Sequence, residues 1–163
     1  MSTSFKVNFL APDSIVSEAP ALPSSLEFES VVMDLCAVLA ENECSFEVSG
    51  FGQLEWPVDV KYDLSTFVEQ LPEALRGIRD RTSAEIDFYG QGLERRLIFE
   101  FKGELVNISC ESRTNWVPKP NVEEIGYQEL LSMLESVASK FASSLRLVWP
   151  QLENKDPFCN WGK

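Results

Sequence analysis

Residues 84–112 read AEIDFYGQGLERRLIFEFKGELVNISCES. Ile86 and Phe88 alternate, then Leu97, Phe99 and Phe101, then Val106, Ile108 and Cys110. Period two is the mark of a strand with one buried face. Gln91 between Gly90 and Gly92, and the run Lys102-Gly103-Glu104, are hairpin signals between the runs. Three strands over 84–90, 93–103 and 104–112 therefore form an antiparallel meander. Its other face is free to meet water.

Upstream, FKVNFL (5–10) alternates and predicts a short strand. Residues 11–25 hold Pro12, Pro20, Pro23 and several serines, and read as a loop. A helix follows to about residue 43, capped by Ser24 or Ser25, with Glu27 and Glu29 in its first turn. Its apolar stripe is Phe28, Val31, Val32, Leu35, Val38 and Leu39. CSFEVSG (44–50) and GQLEWPVDVKYD (52–63) read as two strands around Gly50 and Gly52. In the second, Leu54, Trp56, Val58, Val60 and Tyr62 share the apolar face. Glu55, Asp59 and Asp63 lie on the other. LSTFVEQLPEALRGIRD (64–80) has helical spacing, and Pro72 means that the helix starts there, kinks or splits.

Downstream, TNWVPKPN (114–121) reads as an exposed loop. A long helix covers about 123–148, with Leu130, Leu131, Leu134, Val137, Phe141, Leu145 and Val148 on its stripe, and Pro150 stops it. The tail, 150–163, carries Phe158 and Trp161. These two and Trp116 either fold back to close the edge of the core, the favoured reading, or stand out as interface anchors. The order β-α-ββ-α-βββ-α predicts one α+β domain over 1–163. Its antiparallel β-meander sheet has amphipathic helices packed on one face.

The 163 residues suffice for one domain with a real core. There is no histidine, which removes the commonest general base and metal ligand. The four cysteines show neither a CxxC pair nor zinc-ligand spacing. Cys36 and Cys110 fall on predicted core faces, so the expected state is reduced and buried. No cofactor is implied. No stretch is long enough to span a bilayer, and the first residues lack a basic segment followed by an apolar run. The expected compartment is the cytoplasm.

Net charge is −12 and unevenly spread. Residues 1–75 hold 13 Asp/Glu against Lys6 and Lys61, and 76–163 hold 13 against 12 Lys/Arg. Such a field repels nucleic acid and anionic lipid and attracts basic partners. Two acidic rows stand out. Glu27, Asp34 and Glu41 recur every seven residues along one helix face. Glu47, Glu55, Asp59 and Asp63 share the outer face of two predicted strands. Carboxylates two apart on a strand sit ~7 Å apart and do not converge on a cation. No calcium-loop pattern occurs, so no metal is expected. Asp87, Glu100 and Glu111 could serve carboxylate catalysis, but pairing with Arg95, Arg96 and Lys102 on the same sheet is the simpler reading. Arg76, Arg79, Arg81, Arg95 and Arg96 read as partners for the acidic half rather than a nucleic-acid site. GFG (50–52) and GQG (90–92) read as turn glycines, outside any phosphate-binding context.

The meander LERRLIFEFKGELVNISCES, the acidic run EWPVDVKYD and the flanking amphipathic helices, in a small His-free acidic chain, resemble immunity proteins of bacterial polymorphic-toxin and contact-dependent inhibition systems. The resemblance implies binding a cognate toxin domain and masking its active site. Where the toxin is a cationic nuclease, an acidic surface stands in for phosphates. The expectation is a cytoplasmic, non-enzymatic protein with a basic protein partner, and with neither nucleic acid nor membrane as ligand. Its expected surface is Glu27, Asp34, Glu41, Glu47, Glu55, Asp59 and Asp63. Reversing Asp59 and Asp63 to Lys is expected to slow association and weaken binding.

Three other readings stand beside this one. The charge is a solvated face alone. The chain is an adaptor or secretion chaperone, binding through Trp116 or the tail. Or it is a carboxylate enzyme, with a deep cleft and an Asp or Glu titrating above its ordinary range.

Overall fold

A computed structural model describes residues 4–15 and 20–161. Parts of the predicted loop (16–19) and of the tail (162–163) lie outside the described residues. The fold is α+β. Strand β1 (Lys6–Leu10) pairs antiparallel with β2 (Ser45–Ser49), and helix α1 (Phe28–Leu39) lies between them in sequence. A π-helical turn, Val60–Leu64, runs straight into α2 (Ser65–Asp80). Then come β3 (Ala84–Phe88), β4 (Arg95–Lys102), β5 (Leu105–Ser112) and β6 (Val122–Gly126), a four-stranded antiparallel sheet in sequential order. Helix α3 (Tyr127–Val148) follows, then short 3-10 turns at Pro150–Leu152 and Phe158–Asn160. No helix among the described residues is long and apolar enough to cross a membrane.

The meander forms as its alternation requires. Ile86, Phe88, Leu97, Phe99, Val106, Ile108, Cys110 and Ile125 face the core. Lys102 pairs with Leu105 around Gly103, whose φ of 63° suits a residue without a Cβ. The opposite face carries ion pairs. Arg96 reaches Glu85 at 2.6 Å and Glu111 at 3.5 Å, and Arg113 reaches Asp87 at 2.7 Å. Charge pairing thus accounts for Asp87 and Glu111. Arg95, grouped with Arg96 in the sequence, sits on the inner face instead, sandwiched between two indoles. Its guanidinium is 4.5 Å from the Trp56 ring centroid and 3.6 Å from that of Trp116.

Pro72 neither starts nor splits α2, which is continuous from Ser65 to Asp80. Gly77 lets the helix meet the sheet, because a Cβ there would come 2.2 Å from the Ser83 carbonyl oxygen. At the start of α1 the cap position is Glu27, and neither predicted serine satisfies a helical N–H; Ser25 Oγ accepts from Glu27 N at 3.3 Å. The tail folds back: Phe158 and Trp161 are buried, packed on Phe28, and Phe158 also stacks on Phe141. Cys36 and Cys110 are buried, and burial pushes the Cys110 thiol up to about 12.

Two expected elements change. The stretch 52–63 is not a strand. Leu54 is 93% exposed and Tyr62 62% exposed, while Trp56 between them is buried. Pro57 has no N–H for a ladder, and Asp59 starts the π turn. The long helix starts at Tyr127 rather than near 123, because 122–126 is strand β6. The strands therefore form two antiparallel sheets, with the order of the helices and of the meander strands unchanged.

Strand β6 carries an unusual group, the buried carboxylate of Glu123. It accepts from Ser4 N at 2.6 Å, Ser4 Oγ at 2.7 Å, Phe5 N at 3.0 Å and Phe51 N at 2.5 Å. One side chain thus ties β6 to the start of β1 and to the turn after β2. Buried backbone donors need such partners.

Candidate functional site

Asp59 and Asp63 build the start of α2 between them. Asp59 Oδ1 accepts from the N–H groups of Tyr62 and Asp63, both at 2.9 Å. Asp63 Oδ2 reaches back to the Asp59 N–H at 2.9 Å. This is the reciprocal logic of a capping box, stretched by one residue to fit a π turn. The two acids are therefore structural as well as acidic. Reversing both to Lys would unseat the helix start along with the charge, so it does not isolate a binding role.

The same turn opens on a groove of 540 Å³, lined by Met33, Asp59, Lys61, Tyr62, Asp63, Ser65, Thr66, Glu69, Tyr89, Gly90 and Gln91. Three large side chains on its rim face solvent: Met33 at 58% exposure, Tyr62 at 62% and Tyr89 at 56%. Tyr89 Oη donates to Glu69, and this hydrogen bond, with burial second, raises the tyrosine pKa. Lys61 Nζ lies 5.3 Å from the Tyr62 ring centroid.

Asp63 is the inner wall of the groove and is only 9% exposed. Burial raises its pKa above the ordinary 3.8; the Asp59 N–H works against this, and the Asp59 carboxylate adds to it. A raised carboxyl pKa means that the folded chain holds the proton more tightly than the unfolded chain. Ionised Asp63 therefore lowers stability at neutral pH, and that loss disappears as pH falls through the folded pKa to below 3.8. Asp63→Asn keeps the acceptor for Asp59 N–H and removes the charge. It is expected to melt at a higher temperature than the parent at neutral pH, with the difference closing as the solution is acidified. A lower melting temperature at neutral pH would show that the carboxylate is wanted for the cap itself.

The seven carboxylates marked in the sequence do not form one surface around this groove. Only Asp59 and Asp63 line it. Glu47 and Glu55 line a second groove of 290 Å³, with Lys6, Asn8, Val48, Ser49 and the protruding Leu54. Glu27, Asp34 and Glu41 are exposed on or beside α1 and line neither groove. Met33, Glu69 and Tyr89 went unmarked in the sequence. Their signals were there to read: Met33 is an apolar residue off the α1 stripe, and Tyr89 falls on the outward parity after Ile86 and Phe88.

The groove combines exposed rings, a thioether and carboxylates. Exposed rings and a thioether supply contact area at low entropic cost, and the acids set the sign of what they contact. The chain matches no family model, no curated protein and no solved structure.

Proposed function

We propose that this chain is a non-catalytic binding protein for a basic protein, and that the partner is a bacterial toxin domain acting in the cytoplasm, whose active site it masks as an immunity protein does. The observation that carries the reading is the acidic groove rimmed by exposed Met33, Tyr62 and Tyr89. It lies largely in the half of the chain that holds nearly all the excess negative charge. Opposite charge speeds encounter, and buried aromatic anchors then slow release. The adaptor reading relied on Trp116 or the tail. Support for it is reduced, since Phe158 and Trp161 are buried and Trp116 is stacked on Arg95.

The test is affinity capture from source cells at low salt, followed by a salt ramp and mass spectrometry. One basic protein, held in equal amount, is expected, and its expression alone should arrest growth that this chain restores. Replacing Tyr62 and Tyr89 together by Ala is expected to lose at least about 30-fold in affinity, a loss in the range of interface hot spots. Several unrelated partners, or none, would contradict neutralisation.

One observation favours a second reading. Asp63, with its raised pKa in a groove, has the character of a general acid acting on a small substrate. If the chain is an enzyme, Asp63→Asn abolishes its effect in cells while leaving capture of any protein unchanged. Neutralisation expects capture and effect to fall together.

A further inference from the structure

Asp63 presents two different oxygens. Oδ2 is tied to the Asp59 N–H. Oδ1 receives no hydrogen bond from an N–H among the described residues, although the residue is nine-tenths buried. Oδ1 lies beside Gly90, where an added Cβ would stand 3.2 Å away, and Gly90 also lines the groove. A larger residue at 90 would crowd this oxygen. The wall of the groove is thus an under-used carboxylate oxygen with Asp59 as its anionic neighbour.

What surrounds it narrows the occupant. Asp59, Asp63 and Glu69 are set against Lys61 alone, so the lining favours a cation. Lys61 itself is exposed and lies 5.3 Å from the Tyr62 ring centroid, so this ring already takes a positive group on one face. Tyr62, Tyr89 and Met33 are apolar along their length and suit an alkyl stem. A bare metal ion has no use for these three, and no cluster of three ligating side chains exists among the described residues.

We propose that the groove seats a lysine or arginine side chain of the protein partner, its stem between Tyr62, Tyr89 and Met33 and its cation against Asp63 and Asp59. This deepens the binding reading above and rests on it for the partner being a protein. The cation supplies Asp63 with N–H donors besides that of Asp59. It also offsets the repulsion between neighbouring carboxylates.

The test uses small probes on the whole chain, so it does not require the partner in hand. n-Butylguanidinium and n-butylammonium are titrated against the ¹⁵N-labelled protein, with n-butanol as the neutral control. Saturable shifts are expected at Tyr62, Asp63, Glu69, Gly90 and Gln91, with dissociation constants on the order of 1–10 mM, fitting ligands of this size. Butanol should bind at least about 5-fold more weakly. Asp63→Asn should weaken the cations by about 5-fold or more, a loss of roughly 1 kcal/mol. Glu153→Gln, an exposed acid outside the groove, should leave them unchanged. Shifts scattered over the acidic surface without saturation, or equal binding by Asp63→Asn, would overturn the proposal. The two readings fail separately. Cation binding in the groove with no basic protein captured would defeat the partner reading alone. Capture that depends on Tyr62 and Tyr89 with no probe in the groove would defeat the side-chain proposal alone.

Discussion

Glu123→Ala is expected to lower the stability of the fold by about 4 kcal/mol. Among the described residues the carboxylate accepts from three backbone N–H groups and one hydroxyl, drawn from the start of β1 and from Phe51. Hydrogen bonds to a charged acceptor contribute roughly 1.5–3 kcal/mol each, and they do not add fully. With the acceptor gone, the Phe51 N–H stays beneath buried rings with no replacement, and Phe51 packs on both Phe5 and Trp56. Glu123→Gln keeps one oxygen but turns an amide nitrogen toward groups that donate, so it is expected to cost more than half as much. Urea unfolding of the three proteins measures this. A loss under about 1 kcal/mol for Ala would mean that water serves the orphaned donors well, and that Glu123 is not the tie it looks to be.

Arg95 gives the second large effect, and there the sign depends on the replacement. Its guanidinium fills the gap between Trp56 and Trp116, donates to Gln53 at 2.7 Å and leaves Nε with no partner. The residue is 3% exposed, and burial lowers its pKa. No carboxylate among the described residues pairs with it. Arg95→Ala removes the filling and both ring contacts, and is expected to cost about 3 kcal/mol. Arg95→Met keeps a long stem and removes a buried cation that has no counter-ion. It is expected to lie within about 1 kcal/mol of the parent, or above it. Equal losses for Ala and Met would show that the charge, through the indole faces, is what holds the loop carrying Trp116.

These two residues also mark where the sequence stopped being informative. The meander was legible because its buried positions are apolar at period two, and turn residues separate the runs. Strand β6 was not, although it keeps the same parity: its inward positions are Glu123 and Ile125, and a buried carboxylate erases the alternation. The run Leu54, Trp56, Val58, Val60, Tyr62 misled in the opposite way, with an alternation that belongs to no strand. Trp56 is buried and Val58 and Val60 pack half-buried against the core, while Leu54 and Tyr62 stay outside. The informative signal there was polar. An Asp at 59 precedes the apolar spacing of Leu64, Phe67, Val68 and Leu71, and a second Asp sits four residues on, which is what a widened cap needs.

The acidic character of the first half was read correctly from charge alone, but not its arrangement. Seven carboxylates looked like one surface when 52–63 was drawn as a strand. With that stretch folded into a turn and a cap, two of them enter one groove and two another. The groove's own anchors, Tyr62 and Tyr89, come from a residue assigned to the core and one left unassigned. A tyrosine can serve either place, and only the fold decides which.

The most direct test of the binding reading is the affinity of the captured basic protein for three versions of this chain, measured by calorimetry at two salt concentrations. The parent, the Tyr62→Ala/Tyr89→Ala pair and Asp63→Asn are compared. Loss of at least about 30-fold for the tyrosine pair at both salts, and a smaller loss for Asp63→Asn that fades as salt rises, is the expected result. Full affinity in the tyrosine pair would contradict it and remove the groove from the interface.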